Sequence, residues 1–284
     1  MSEKLNLKNR SAIITGASQG FGAAIARTFV QQGANVILTA RSADRLEQVT
    51  SELRKEAVKG SIIDFIPCDI SIPPEVDRLM EVASVTLGGI DILINNASVF
   101  GPMGRLVDMP WDDWVTAITT NLLGTVYACR VAIPHLRRSD RGKIINISGG
   151  GAVRALPSLS AYAASKAAVV RFTETLAEEL RQDGIDVNSV APGPLNTRFV
   201  DLAIAAGPNR LGDALYAEIM RIRESGGTPF ELAADLCVYL ASRQSDRVTG
   251  NLISARYDSW STLHERIEEL DSSNVYKLRR IDEK

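Results

Sequence analysis

Thr15-Gly16-Ala17-Ser18-Gln19-Gly20-Phe21-Gly22 follows a short apolar run, Ser11-Ala12-Ile13-Ile14, and opens a helical stretch at residues 23–32. Glycines at 16, 20 and 22 give this turn backbone freedom and put no side chain between the chain and an approaching pyrophosphate. Amides at the start of the following helix point at that negative charge. A Gly-rich turn says little alone; one that joins a strand to a helix says much more. Gly33 then stops the helix, and Asn35-Val36-Ile37-Leu38-Thr39 makes a second apolar run.

The alternation continues outward. Further apolar runs lie at 61–66, 91–94, 143–147, 186–190 and 251–254. Short runs without strict polar alternation suit strands buried on both faces, as in a parallel sheet. The stretches between them are long enough for right-handed crossover helices, which predicts a doubly wound α/β fold. Residues 44–59 form an amphipathic helix with Leu46, Val49, Leu53 and Val58 near one side. Residues 111–138 predict a long helix, bent near Gly124 or starting later than Trp111, and 161–181 an Ala-rich one. Thr228-Pro229-Phe230-Glu231 has the pattern of a capping box opening a helix that runs to about Ala241. The segment 192–227, rich in Gly and Pro, is the least regular part and belongs outside the carboxyl ends of the strands, where such sheets bind ligands.

Composition excludes several classes. The chain has 284 residues, 45% hydrophobic and 23% charged, which suits one large globular domain. Thirty-two Lys and Arg face 34 Asp and Glu, a net charge of −2, so no global basic field draws nucleic acid or an anionic membrane. Two His and three Cys leave little for a metal site. Cys68, Cys129 and Cys237 are far apart and read as reduced, buried thiols. Residues 1–10 lack the apolar core of a signal peptide, and no run reaches the ~18 apolar residues of a membrane span. A cytoplasmic location is expected.

The second run ends Leu38-Thr39-Ala40-Arg41-Ser42. An NAD site usually places a carboxylate here for the ribose 2′-hydroxyl. There is none at 39–41, and Arg41 can instead fork onto a 2′-phosphate. With Ser42 beside it, this predicts NADP(H), with NAD(H) as the alternative.

Tyr162 and Lys166 stand four residues apart on one helix face. An ammonium beside a phenol favours phenolate, which would bring the Tyr pKa down toward neutrality and suit it to acid–base work. Together with the Gly-rich turn, Asn95-Asn96-Ala97, Asn121 and Pro192-Gly193, this pair resembles the short-chain dehydrogenase/reductase family over roughly residues 7–254. The resemblance implies a Rossmann-like domain with a seven-stranded parallel sheet, a small carbonyl or alcohol substrate, and a homodimer or homotetramer. It implies that Gly16, Ser18, Gln19, Gly20, Phe21 and Gly22 form the phosphate turn, and that Asp69 and Ile70 touch the adenine. It places Asn96 and Ala97 at the adenosine ribose, and Pro192, Gly193, Leu195 and Thr197 at the nicotinamide amide. It makes Tyr162 the general acid/base, Lys166 its partner and ribose ligand, and Asn121 the anchor of a proton relay. Ser98 stands where the family usually has Gly.

Two departures stand out. The family's serine lies thirteen residues before the Tyr, and that position here is Gly149. Ser148 is the expected substitute, with Ser160, a backbone amide of the 149–151 run, or no serine at all as alternatives. The end differs too. Residues 255–284 form an extension with Leu263, Ile267 and Leu270 at helical spacing, expected to pack on the domain or on a neighbouring subunit, or to cover the substrate through Arg256, Tyr257 and Trp260. Arg154, Arg198, Asn209, Arg210, Arg221 and Arg223 surround the variable segment, as substrate ligands or as a solvated face with internal ion pairs, and a small polar substrate is expected. The main expectation is an NADP(H)-dependent oxidoreductase. The alternatives are a nucleotide-binding sensor or scaffold that has lost turnover, and a lyase or isomerase using the same Tyr–Lys pair.

Overall fold

In the computed structural model, which describes residues 6–280, the seven apolar runs are the seven strands of one sheet. These are β1 (Ser11–Thr15), β2 (Asn35–Ala40), β3 (Ile63–Pro67), β4 (Ile92–Asn95), β5 (Lys143–Ile147), β6 (Asp186–Ala191) and β7 (Leu252–Ser254). All pairings are parallel, in the order β3-β2-β1-β4-β5-β6-β7. The helices are α1 (Gly20–Gln31), α2 (Ala43–Glu56), α3 (Pro73–Leu87), α4 (Trp111–Ile118), α5 (Gly124–Leu136), α6 (Ser160–Glu179), α7 (Arg198–Ala206), α8 (Pro208–Leu211), α9 (Asp213–Ser225), α10 (Phe230–Ala241) and α11 (Ile267–Ser272).

Consecutive strand residues feed opposite layers, which is why the runs are apolar throughout. Ile14, Leu38 and Ile145 pack with Phe29, Leu46 and Tyr239 on the side of α1, α2 and α10. Their neighbours Ile13, Ile37 and Ile144 pack with Leu79, Cys129 and Leu176 on the side of α3, α5 and α6. Each such buried Ile or Leu contributes about 1.5–3 kcal/mol. The chain winds outward from β1 to β3, then returns to lay β4 on the other side of β1. Loops after β1 and β4 therefore diverge, and a crevice opens between them at the carboxyl ends. The opposite end is closed by Lys143, fully buried, whose Nζ lies 2.8 Å from both Asp186 Oδ2 and Asp246 Oδ1.

Three local expectations are corrected, and one helix was not anticipated. The long helix is α4 and α5 joined through a π-helical turn, Thr119–Leu123, so the widening falls on Asn121 and the break near Gly124 is a change of winding. Residues 192–227 are largely helical, because Gly207 (φ +75°) and Gly212 (φ +79°) serve as joints between α7, α8 and α9. No capping box forms at α10: Pro229 is its N-cap without a side-chain bond, and the Thr228 hydroxyl is buried without a partner. Finally, α3, opened by Pro73 and Pro74 in its first turn, carries no signal singled out above.

The extension packs in cis. A 3₁₀ turn, Trp260–Arg266, leads into α11, and Leu263 and Leu270 bury themselves in the layer of α10. The His264 amide donates to Tyr239 Oη at 3.0 Å. Beyond α11 the chain crosses the sheet edge, where the Leu252 amide donates to the Tyr276 carbonyl at 2.7 Å. Arg279 then reaches the nearly buried Glu174 of α6, which also pairs with Arg171. Ile281 and the residues after it lie outside the described residues.

Candidate active site

The carboxyl ends of the strands line one cleft of about 1380 Å³. That exceeds the ~300–1,000 Å³ of an ordinary small-ligand pocket and leaves room for a dinucleotide and a second molecule.

At one end is the Gly-rich turn. Gly16 and Gly20 hold left-handed backbone (φ +67° and +56°). A methyl at Gly16 would come within 2.7 Å of Ala97 Cα, and one at Gly22 would overlap the Gly16 carbonyl. The Thr15 hydroxyl accepts from the amides of Asn96 (3.0 Å) and Ala97 (3.1 Å), while Asn96 Nδ2 donates to the carbonyls of Thr15 and Gly16. The loop after β4 thus clamps the turn after β1. Ser18, Gln19, Phe21 and the first turn of α1 face the cleft, and Thr197 stands across it from Gly20. This is a cradle of backbone that a Cβ would fill, and it fits a pyrophosphate.

Farther out, Arg41 is 73% exposed, with Nη1 4.0 Å from Asp69 Oδ2. Ser42 precedes α2, and its hydroxyl makes no capping bond. Asp69 and Ile70 line the cleft. Arg45 was not singled out from the sequence, yet it lines the same place and donates to Gln19 Oε1 at 3.1 Å. Its spacing of four from Arg41 was the available signal. Pro192, Gly193 and Leu195 line the opposite wall, and Leu195 is bridged to Gly227.

Tyr162 and Lys166 come together on α6. Tyr162 is 9% exposed. Its ring meets Phe100 edge-on at 4.9 Å and Phe199 at 6.2 Å, and these two phenylalanines stack at 4.3 Å. Lys166 Nζ donates to the Ile147 carbonyl at 2.8 Å and lies 5.9 Å from the Tyr162 ring centre. The expected lowering of the phenol pKa is absent. Burial pushes Tyr162 up to about 12, and the same burial pulls Lys166 down to about 8. In this apolar wall, desolvation of each charged form outweighs their mutual attraction.

Asn121 is fully engaged. Its Oδ1 accepts from the Val99 amide (2.8 Å), and its Nδ2 donates to the Val99 carbonyl (2.8 Å) and to Ser165 Oγ (3.0 Å). Ser165 in turn donates to the Tyr162 carbonyl. Asn121 therefore fastens the loop carrying Phe100 to the helix carrying Tyr162.

Of the serine alternatives, Ser160 is held elsewhere: its hydroxyl accepts from Trp114 Nε1 at 3.1 Å and contacts Met109 Sδ. Ser148 lines the cleft, and its hydroxyl is buried with no partner. Gly149 abuts the phenol. A methyl there would overlap Tyr162 Oη and lie 3.1 Å from Cζ.

Beyond the phenol the cleft enters a third apolar cluster, separate from the two flanking the sheet, formed by the loop at 100, residues 156–162 and helices α7 and α9. Phe100, Leu156, Phe199, Leu215, Ile219 and Ile222 line this part of the cleft, which gives it an apolar wall. No periodicity in one segment reveals a wall drawn from four. Arg154 pairs with Glu218 and Arg223 with Asp201. From the extension, Tyr257, Asp258 and Tyr276 reach the cleft. Trp260 instead packs on Tyr239, and Arg256 on Tyr257.

A sequence model described as "short chain dehydrogenase" matches residues 10–205. An uncharacterized oxidoreductase of Staphylococcus aureus (strain N315) is 37% identical over 205 residues, covering 72% of this chain and 83% of that protein. A D-beta-hydroxybutyrate dehydrogenase of Rhizobium meliloti (strain 1021) is 33% identical over 251 residues, covering 86% and 96%. Among solved structures, a dehydrogenase/reductase from Sinorhizobium meliloti 1021 superimposes with a TM-score of 0.76 at 32% identity, covering 88% and 94%.

Proposed function

Because the chain belongs to the short-chain dehydrogenase/reductase family of NAD(P)-dependent oxidoreductases, we propose that it moves hydride between NADP(H) and the carbonyl or secondary-alcohol carbon of a small molecule. One observation carries this: a single cleft runs from the Gly16–Gly22 cradle to the Tyr162 phenol, with Lys166 behind it. Bound there, the nicotinamide supplies or takes up the hydride. Gly16, Ser18, Gln19, Gly20, Phe21 and Gly22 hold the pyrophosphate, Asp69 and Ile70 the adenine, and Asn96 and Ala97 its ribose. Pro192, Gly193, Leu195 and Thr197 hold the carboxamide side.

Tyr162 gives its proton to the carbonyl oxygen in reduction and takes it back in oxidation. A phenol held near 12 is fully protonated at neutral pH, the state a reductase requires. Lys166 holds ribose hydroxyls and, as a cation beside the ring, steadies the phenolate left when Tyr162 gives up its proton. Ser148, with its hydroxyl unspent, donates to the substrate oxygen. Asn121 is a positioning residue that keeps Phe100 and Tyr162 in register.

NADP(H) is favoured over NAD(H) because 39–41 carry no carboxylate, while Arg41, Ser42 and Arg45 surround the place of a 2′-phosphate. Calorimetric titration of wild type and Arg41→Ala with NADPH and NADH tests this. NADPH affinity should fall about tenfold in the variant, with NADH unchanged. Equal binding of the two cofactors by wild type refutes the preference, and binding of neither refutes the function.

Gly149 favours a second reading, a nucleotide-binding sensor or scaffold without turnover. Reproducible Tyr162-dependent turnover excludes it. The oligomer is proposed to be a homodimer or homotetramer joined along α4, α5 and α6, where Trp111, Val115 and Leu123 stand exposed. A cytoplasmic location is proposed from the three free, buried cysteines. No helix among the described residues is long and apolar enough to cross a membrane.

A further inference from the structure

The wall facing the Tyr162 phenol is a small hydrophobic core of its own, and the charged groups of α9 at its rim are paired with Arg154 and Asp201. Six side chains from four segments converge there: Phe100, Leu156, Phe199, Leu215, Ile219 and Ile222. Phe100 and Phe199 stack on each other and both meet the phenol ring edge-on. At the rim, Arg154 from the turn after β5 is bound to Glu218 of α9, at 2.5 Å. Arg223 of α9 is bound to Asp201 of α7. The rim thus presents two carboxylates and two arginines, each neutralised by its partner.

We infer that the substrate is an uncharged carbonyl compound, or its alcohol, whose reacting carbon carries an aromatic or alicyclic group seated against Phe100, Leu156, Phe199 and Ile219. The inference rests on the reading of Tyr162 as the proton donor. A flat or branched apolar group fills the wall with dispersion contacts and displaces water from about six apolar side chains. A substrate carboxylate has no such welcome. It meets apolar side chains, which leave a buried charge without a partner. To gain a cation it must compete with Glu218 for Arg154 or with Asp201 for Arg223, and because both pairs are largely exposed that competition costs it only about 1 kcal/mol. Arg198, exposed on the first turn of α7, also borders the cleft and is the remaining cation such a substrate could use. A polyol fares no better, because its hydroxyls would face side chains that neither donate nor accept.

The decisive pair of probes is methyl benzoylformate and benzoylformate, ketones that share the aromatic ring and differ by one charge. NADPH oxidation is followed with each, and binding of each to the NADPH-loaded protein is read by calorimetry. The ester should be reduced with a kcat/KM at least about a hundredfold above the acid. In Glu218→Gln, which frees Arg154, the gap should narrow about tenfold through gain on the acid alone. Equal or better use of the acid by wild type overturns the inference while leaving the oxidoreductase reading in place, and loss of that use in Arg198→Ala would identify the cation responsible. Tighter binding of the acid than of the ester overturns it even without turnover. Tighter binding of the ester without reduction of either probe supports the pocket assignment and counts against Tyr162 as donor.

Discussion

Gly149 offers the sharpest test of how the phenol is held. Its backbone is extended (φ −175°), a conformation open to any residue, so substituting Ala introduces no backbone strain. The effect is one of contact alone. The new methyl would overlap Tyr162 Oη and lie 3.1 Å from Cζ. To restore an ordinary carbon–oxygen contact, the phenol must retreat by about 1 Å. Displacing a reacting group by that much costs about a hundredfold in rate, or about 2.7 kcal/mol of barrier. Gly149→Ala should therefore lower kcat about a hundredfold while NADPH affinity stays within twofold, because the cradle at Gly16–Gly22 is remote from the change. Gly149→Ser, which reinstates the residue the family usually carries, should fare no better, since its Cβ falls in the same place. The assay is steady-state NADPH oxidation with the preferred ketone, beside calorimetric binding of NADPH. An unchanged kcat in Gly149→Ala, or a gain in Gly149→Ser, refutes the argument that the phenol occupies the missing side chain's space.

Tyr162→Phe keeps the edge-to-face ring contacts with Phe100 and Phe199 and removes only the proton donor. It should lose at least about two orders of magnitude in kcat with thermal stability nearly unchanged; retained turnover would eliminate the proposed role. Lys166→Met should do the opposite to stability. Burial lowers the folded pKa of Lys166 from 10.5 to about 8, so the unfolded chain holds the extra proton between those values. Stability thus rises with pH from about 8 to 10.5, and below 8 the full penalty of a buried ammonium is present. The variant should melt a few degrees higher at pH 7, roughly 1–2 kcal/mol after losing the bond to the Ile147 carbonyl. That gain should fade toward pH 10.5, while turnover falls sharply. Melting curves of the cofactor-free proteins across this range decide it, and a pH-independent difference would contradict the assignment.

The sheet was legible because a strand buried on both faces must be apolar at every position, as Ile13-Ile14 and Ile144-Ile145 are. The phosphate cradle was legible for a related reason: Gly16 and Gly22 leave no space for a Cβ, so the chemistry appears directly in the letters. The Tyr–Lys spacing was visible as well, but not its electrostatics. The phenylalanines and aliphatic side chains that desolvate Tyr162 come from residues 100, 156 and 199–222, and no local pattern joins them. Glycines misled in 192–227, where Gly207 and Gly212 punctuate helices and do not mark a loop. At Thr228-Pro229 the letters of a capping box were present, but Pro229 took the cap position and left the Thr228 hydroxyl inside. Asn121 was found by resemblance, while the widened turn that carries it has no signature in its residues.

The path of the extension bears on more than the cleft it borders. β7 is the last strand of the sheet, and an uncovered parallel edge offers a row of backbone groups to any passing strand. Here the Leu252 amide is already taken by the Tyr276 carbonyl, and Arg279 secures the crossing segment to Glu174. A chain cut after α11 would lose both restraints. It would expose a bare sheet margin beside a nearly buried carboxylate left with Arg171 alone. Residues 276–279 thus act as a selvedge, keeping the woven edge from fraying into neighbouring molecules and from aggregating with them.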